Sequence, residues 1–318
     1  MKETFSLVIL LLTFQLGISQ SKPIPRDTSY TIQSNYQKLK KDYSFVTPIA
    51  PSQPKGVNAQ WEVVYKKVAE RELHVDVFYP LKKKKKKYPG VIMIHGGGWS
   101  SGSKIHQVPM AQQLARKGIV AVAVEYRLSP EAPYPAAVHD LKEAIRWMRA
   151  KAATLGLDTN KIAALGCSAG AQLASLLGTT NGMGTFEGQT KYPAFSSNIQ
   201  AVVNVDGIVS FVHPEASAEG NAAGRWLGGS RTEAAQQWRE ASPLEYVNEQ
   251  TPPFVFINSA MPRFHAGRDD FVKQLSKFGT YSEVHTIADS PHSFWLVHPW
   301  FKPTLNYTNR FLRKVFKP

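Results

Sequence analysis

The sequence predicts an α/β fold: one mostly parallel central sheet covered by helices on both faces. Three observations lead there. From Val91 onward, short apolar runs alternate with longer runs of helical periodicity, the pattern of successive βαβ units. Two of the apolar runs end in glycine-rich turns, Gly96-Gly97-Gly98 and Gly166-Cys167-Ser168-Ala169-Gly170, and open α/β sheets bind ligands beyond the carboxyl ends of their strands. The chain has 318 residues, 43% of them hydrophobic and 11% aromatic, enough for one large core in a single domain of this class.

The elements follow in order. Met1-Lys2 precedes an apolar run from Phe5 to Leu16, and Gly17-Ile18-Ser19 adds small residues. This predicts a secretory signal peptide over residues 1–19, cut near Ser19–Gln20, and a secreted or periplasmic protein. The run is shorter than the roughly 20 apolar residues that span a bilayer, so no stable membrane insertion is expected after cleavage. Residues 20–60 are polar and punctuated by Pro48, Pro51 and Pro54, which predicts an extended leader ahead of a domain over 61–318. Trp61–Ala69 and Leu73–Tyr79 alternate polar and apolar residues around Glu70-Arg71, as an antiparallel hairpin does. Lys82 to Lys87 is an unbroken lysine run and reads as a solvated loop tip.

Strands are expected at Val91–Ile94, Ile119–Val124, Lys161–Leu165, Ile199–Val205, Phe254–Ile257 and Ser282–Ile287. Helices are expected at Val108–Lys117, Ala136–Ala152, Ala169–Leu177, Asp269–Phe278 and Trp300–Phe316. Residues 208–250, after the sixth strand, form a small cap insertion with Trp226 and Trp238. Those aromatics suit either stacking on a substrate ring or packing of the insertion's own core.

Composition excludes several classes. The net charge is +14, which favours anionic surfaces. There is no helix-turn-helix, zinc or aromatic-basic pattern, so nucleic acid is not an expected partner. A single cysteine, Cys167, forms no internal disulfide and reads as a small buried residue. No H-E-x-x-H helix or ligand-spaced cluster is present, so neither a metal nor another cofactor is expected.

The chemistry centres on Gly166-x-Ser168-x-Gly170, between an apolar strand and a helix-like run. Small residues two positions either side of a serine allow a tight turn that exposes its hydroxyl. On a strand-to-helix junction this is the nucleophile elbow of α/β-hydrolases; an ordinary turn with a capping serine is the plainer reading. Upstream, Val91–Ile94 runs into His95-Gly96-Gly97-Gly98-Trp99. Acyl transfer needs N–H donors where charge collects on the carbonyl oxygen, and H-G-G-G ahead of G-x-S-x-G is the oxyanion-loop pattern of lipases and esterases. The expected donors are the N–H groups of Gly97, Gly98 and Ala169.

The runs Val124-Glu125-Tyr126-Arg127-Leu128-Ser129-Pro130-Glu131 and Tyr134-Pro135-Ala136-Ala137-Val138-His139-Asp140 resemble the Y-R-L-x-P-E and P-A-A-x-x-D segments of hormone-sensitive-lipase-like esterases. The chain also resembles the related bacterial feruloyl and acetyl esterases, from about Trp61 to the C-terminus. The resemblance implies an α/β-hydrolase fold and a serine carboxylic-ester hydrolase, secreted on the signal-peptide reading above. It implies a small-molecule or polysaccharide ester as substrate, with acetyl or feruloyl groups on plant polysaccharide. A serine peptidase of the same fold is the alternative enzyme. A catalytically weak carbohydrate-binding or scaffold module is the alternative outside catalysis.

The base is expected on the loop after the last strand, at His292, with His265, His285 and His298 as rivals. An imidazole can take the serine proton and return it to the leaving alcohol. The acid departs from the family pattern, which places an aspartate near Met261 or Pro262; Ser259 to Arg268 holds no carboxylate. The expected acid is Asp269, the first carboxylate after the penultimate strand. Asp206, at the preceding strand end, Asp270 and a Ser168–His292 dyad remain open; Asp289 lies too close to His292 in sequence. His95 is expected to brace the glycine loop, and Glu125, Arg127 and Asp140 to form structural ion pairs.

Overall fold

The computed structural model describes residues 27–81 and 87–317. The expected signal peptide and Lys82–Lys86 lie outside the described residues. The strands are β1 (Thr47–Pro48), β2 (Val57–Val68), β3 (Arg71–Pro80), β4 (Tyr88–Ile94), β5 (Val120–Val124), β6 (Leu157–Cys167), β7 (Ala201–Val205), β8 (Phe254–Asn258), β9 (Ser282–Thr286) and β10 (Val297–His298). The main sheet has the order β2-β3-β5-β4-β6-β7-β8-β9. The β2–β3 hairpin joins it antiparallel through β5, and every pairing from β5 onward is parallel. The chain therefore has the α/β-hydrolase architecture the sequence predicts.

The central strands β4 to β8 are mostly apolar because both faces of the sheet are covered there. On β4, Ile92 and Ile94 enter one core, while Val91 and Met93 enter the other. On β6, Ile162 and Ala164 pack to one side and Ala163, Leu165 and Cys167 to the opposite side. This is the two-residue period of a pleated strand. The helices are α1 (Ile32–Leu39), α2 (Val108–Arg116), α3 (Ala136–Ala150), α4 (Ala152–Leu155), α5 (Ala169–Thr179), α6 (Asn221–Leu227), α7 (Ala235–Glu240), α8 (Arg268–Lys277) and α9 (Phe301–Val315). Among the described residues, no helix is long and apolar enough to cross a membrane.

Two expectations about organisation need correction. The leader is not extended: its described part carries α1, and the sheet begins at Val57, inside the expected 20–60 segment. A capping box starts α1, with Thr31 Oγ1 accepting from Ser34 N–H at 2.9 Å and Ser34 Oγ accepting from Thr31 N–H at 2.8 Å. Leu39, Val46 and Ile49 then bury themselves in the core on one face of the sheet. β1 pairs with β10, so this segment is sewn to the C-terminal part of the domain.

The insertion over 208–250 contains α6 and α7. Trp226 and Trp238 are buried, and Trp226 stacks on Trp99 with centroids 5.2 Å apart and planes 8° from parallel. Trp226 packs the insertion onto the glycine loop and Trp238 packs inside the insertion against Phe211; neither offers a face to solvent.

Candidate active site

β6 delivers Ser168 and α5 carries the chain away, as the elbow pattern requires. Ser168 has φ 55° and ψ −123°, a conformation that costs a non-glycine residue roughly 1–3 kcal/mol. The flanking glycines make it possible. A Cβ on Gly170 would lie 2.3 Å from the Ile94 carbonyl oxygen, and one on Gly166 would lie 1.9 Å from that of Gly170. No side chain could move to relieve either clash, because each obstacle is backbone.

His292 follows β9 in the chain. Its Nε2 lies 2.9 Å from Ser168 Oγ, and its Nδ1 lies 2.6 Å from Asp206 Oδ2. The imidazole is therefore joined to serine and carboxylate on opposite nitrogens, the geometry in which Nδ1–H donates to Asp206 and Nε2 accepts from Ser168. Phe264 lies flat on the imidazole, with centroids 3.5 Å apart and planes 11° from parallel. Trp295 meets its edge at 5.2 Å, and its backbone N–H points at Met261 Sδ at 3.3 Å.

Asp206 takes the position the sequence reading gave to Asp269. It stands at the end of β7, beside the elbow: Ser168 N–H donates to Val205 O at 2.9 Å. Asp206 is fully buried, with Oδ1 accepting from Ser259 N–H at 2.8 Å and His265 Nε2 at 3.4 Å from the same oxygen. Burial pushes its carboxyl up, but the His265 and His292 imidazoles and the Ser259 amide outweigh it, holding the group at about 2. Asp269 instead sits in the first turn of α8, four-fifths exposed, paired with Arg268 at 2.8 Å. A carboxylate there is stabilised by the helix N-terminus and water and is turned away from the ring. Asp270, also on α8, contacts His213 at 3.3 Å. The turn expected to supply the acid contributes Phe264 to the His292 ring and His265 to the Asp206 carboxylate.

The rival histidines have other partners: His285 with Glu283 at 2.7 Å, and His298 in β10 against Phe301. His95 braces the glycine loop as expected, with Nδ1 2.8 Å from Gly96 O and its ring stacked on Tyr126. Arg127 grips both oxygens of Asp140 at 2.8 Å, and Arg71 bridges Glu125 and Glu131. These are structural ion pairs, as expected. Cys167 is buried, and burial pushes its thiol up to about 12, which removes it as a nucleophile.

Gly97 and Gly98 have φ of 127° and 57°. A Cβ on Gly97 would lie 2.1 Å from Ser101 O, so the loop closes only around glycine. Both residues border a cavity of about 780 Å³ that opens onto Ser168 and His292. A smaller cavity of about 160 Å³ meets Ser168 on its other side, lined by Gly98, Trp99, Ala169, Ile208, Ala222 and Phe264 among others. Gly97 and Gly98 thus line the larger cavity with Ser168, and Gly98 and Ala169 the smaller one. Cavities of about 990 and 830 Å³ lie elsewhere, away from Ser168, so size alone does not mark the site. Among the described residues, no group of three or more metal-ligating side chains occurs.

A serine on a strained elbow, an imidazole and a buried carboxylate, mounted at the strand ends of this sheet, define an α/β-hydrolase with a Ser–His–Asp site. Residues 75–273, more than half of the chain, match the BD-FAE family, and the chain belongs to it. It is 32% identical over 178 residues to esterase LipC of Mycobacterium tuberculosis, covering 54% of this chain and 44% of LipC. It is 33% identical over 150 residues to an arylesterase of Saccharolobus solfataricus, covering 46% of each. The match thus spans less than half the length of these relatives. Among solved structures, Thermogutta terrifontis esterase 2 superposes with a TM-score of 0.68 at 25% identity, over 84% of this chain and 95% of its own. A bifunctional GH43-CE protein of Bacteroides eggerthii gives 0.70 at 26% identity, over 81% of this chain and 38% of its own.

Proposed function

We propose that the chain is a serine carboxylic-ester hydrolase that removes short acyl groups from carbohydrate esters. The carrying observation is the Ser168–His292–Asp206 relay, at 2.9 and 2.6 Å, beside the Gly97-Gly98 turn. Ser168 Oγ attacks the ester carbonyl as His292 Nε2 takes its proton. The oxyanion meets the N–H groups of Gly97, Gly98 and Ala169. The imidazolium, steadied by Asp206, protonates the departing alcohol, and water then repeats the sequence on the acyl-enzyme.

The family, the relatives named as esterases and the Thermogutta esterase among solved structures support the reaction class. The short acyl group is supported by space. A cavity of about 150 Å³ holds a benzene-sized guest, so the 160 Å³ cavity beside Ser168 suits an acetyl or a slightly longer chain and is tight for a feruloyl group. Solved forms of the Thermogutta esterase carry propionate and butyrate. Plant polysaccharide as the carrier, and export of the protein, complete the reading; export rests on the apolar run Phe5–Leu16 with small residues after it.

The test is turnover of p-nitrophenyl esters of increasing chain length, followed by acetylated and feruloylated xylan and pectin. Wild type should prefer acetyl to butyryl esters, react with a fluorophosphonate at Ser168, and lose several orders of magnitude in turnover in Ser168→Ala. That variant should unfold close to wild type, since alanine gives up only a half-buried hydroxyl and its hydrogen bond to His292. Ser168→Ala with more than about a tenth of wild-type activity would refute the nucleophile. N-terminal sequencing of protein from the culture medium or periplasm tests export, with a start near Gln20 expected.

A further inference from the structure

The cleft in front of Ser168 has one wall that comes from ahead of the sheet. Tyr30, Ser34, Asn35, Lys38 and Asp42, on and around α1, face Gly97 and His292 across the cavity of about 780 Å³. The segment is fastened at three places. Gly102 N–H donates to Asp27 O at 3.0 Å on the glycine-loop side. Tyr30 Oη and Ser293 Oγ lie 2.9 Å apart, one residue from the base. Ile49 N–H donates to Leu296 O at 3.1 Å. This wall is as firmly placed as the catalytic loops it touches.

One group on it is unsatisfied. Asn35 is only 5% exposed, yet its Nδ2 has no hydrogen-bond partner. A buried donor left unpaired costs about 1–3 kcal/mol, and a lining residue of a catalytic cleft can recover that from a ligand. Lys38 lies one turn further along α1 on the same side, exposed at the rim. With Asp42 beyond it, this wall offers donors, an ammonium and a carboxylate to whatever occupies the larger space.

The acyl group, on the reading above, goes to the small cavity on the other side of Ser168, which leaves the large one to the alcohol. We propose that α1 forms the leaving-group subsite and that it binds a hydroxyl-rich alcohol, a sugar residue, with Asn35 and Lys38 donating to its oxygens. Hydroxyl groups both accept and donate, so a sugar can use all of these side chains. A phenol or simple alkanol would leave Asn35 unpaired. The inference rests on the ester-hydrolase reading and adds to it which residues read the alcohol.

The experiment compares kcat/KM for acetylated xylo-oligosaccharides with that for p-nitrophenyl acetate, whose alcohol carries no array of hydroxyls. In Asn35→Ala the ratio of the two should fall about tenfold, chiefly through KM for the oligosaccharide, and in Lys38→Ala about threefold, the scale of one lost hydrogen bond each. Xylotriose should inhibit aryl-acetate turnover competitively in wild type, and more weakly in both variants. If Asn35→Ala fails to fold, Lys38→Ala, at an exposed position, carries the comparison. An unchanged ratio and unchanged xylotriose inhibition in the variants would overturn the subsite while leaving the hydrolase intact. A wild type that turns over neither ester would overturn the hydrolase reading itself. Calorimetric binding of xylotriose to wild type and Asn35→Ala would then still decide the subsite, with equal affinities counting against it.

Discussion

Asp206 Oδ2 lies 2.6 Å from His292 Nδ1 although 86 positions separate the two in the chain. The contact exists because β7 runs parallel to β6, in a register that places Val205 beside Cys167. The residues immediately after, Asp206 and Ser168, both turn at positive φ of 55°. The acid and the nucleophile thus sit on neighbouring strand ends, each in an uncommon backbone conformation, and the imidazole comes in from the loop after β9.

That arrangement makes the acid testable against its sequence-level rival. Asp206→Asn keeps the shape, removes the charge and favours the wrong imidazole tautomer; kcat should drop by about 10³–10⁴, by analogy with the protease triad. Asp269→Asn breaks only an exposed pair with Arg268, worth about 0–1 kcal/mol, and should stay within about twofold of wild type. Steady-state kinetics on p-nitrophenyl acetate decide it. A crippled Asp269→Asn with an active Asp206→Asn would reverse the assignment.

Much of the architecture was legible. Strands buried on both faces must be apolar throughout, and the glycines of the elbow and the oxyanion loop are required by backbone contacts, so their spacing carries meaning without a structure. The acid was not legible for the converse reason. Asp206-Gly207 after a strand and Asp269-Asp270 at a helix start both look locally satisfied. Only the order of strands in the sheet decides which one reaches the ring. Helix α1 was hidden too. Its apolar stripe is short, Ile32, Tyr36 and Leu39, with only Leu39 of the three fully buried, and the three nearby prolines suggested extended chain. Its Thr31–Ser34 cap was the available signal.

Asp206 also sets a pH dependence of stability. Its folded value of about 2 lies below the roughly 3.9 of an unstructured aspartate, so protons bind the unfolded chain more tightly. The stabilisation is fully present above about pH 5, amounts to about 2–3 kcal/mol, and is lost as pH falls towards 2. Urea unfolding of wild type and Asp206→Asn at pH 7, 5, 4 and 3 should therefore show a stability difference that is constant from pH 7 to about 5 and moves against wild type below it. A difference that does not change down to pH 3 would mean that the Asp206 charge is not favoured by the fold.

The last prediction concerns the clamp on the catalytic loop. Tyr30 is half-buried against the core, and desolvation of its phenol pushes it up to about 12, so its hydroxyl stays protonated at working pH. It meets Ser293 Oγ at 2.9 Å, and Ser293 holds φ 69° directly after His292. Tyr30→Phe keeps the ring, and with it the edge contact to His106 at 4.9 Å, but leaves the Ser293 hydroxyl without this partner. The cost should be about 1 kcal/mol, or about 2–4 °C in the unfolding midpoint for a domain of this size. Because the loop positions the base and not the substrate, kcat on p-nitrophenyl acetate should fall several-fold while KM changes little. Ser293→Ala should do the same from the other side. If the two hydroxyls act through each other, the double variant should be little worse than either single one, with a coupling of about 0.5–1 kcal/mol. Losses that simply add would show that the pair does not hold the loop.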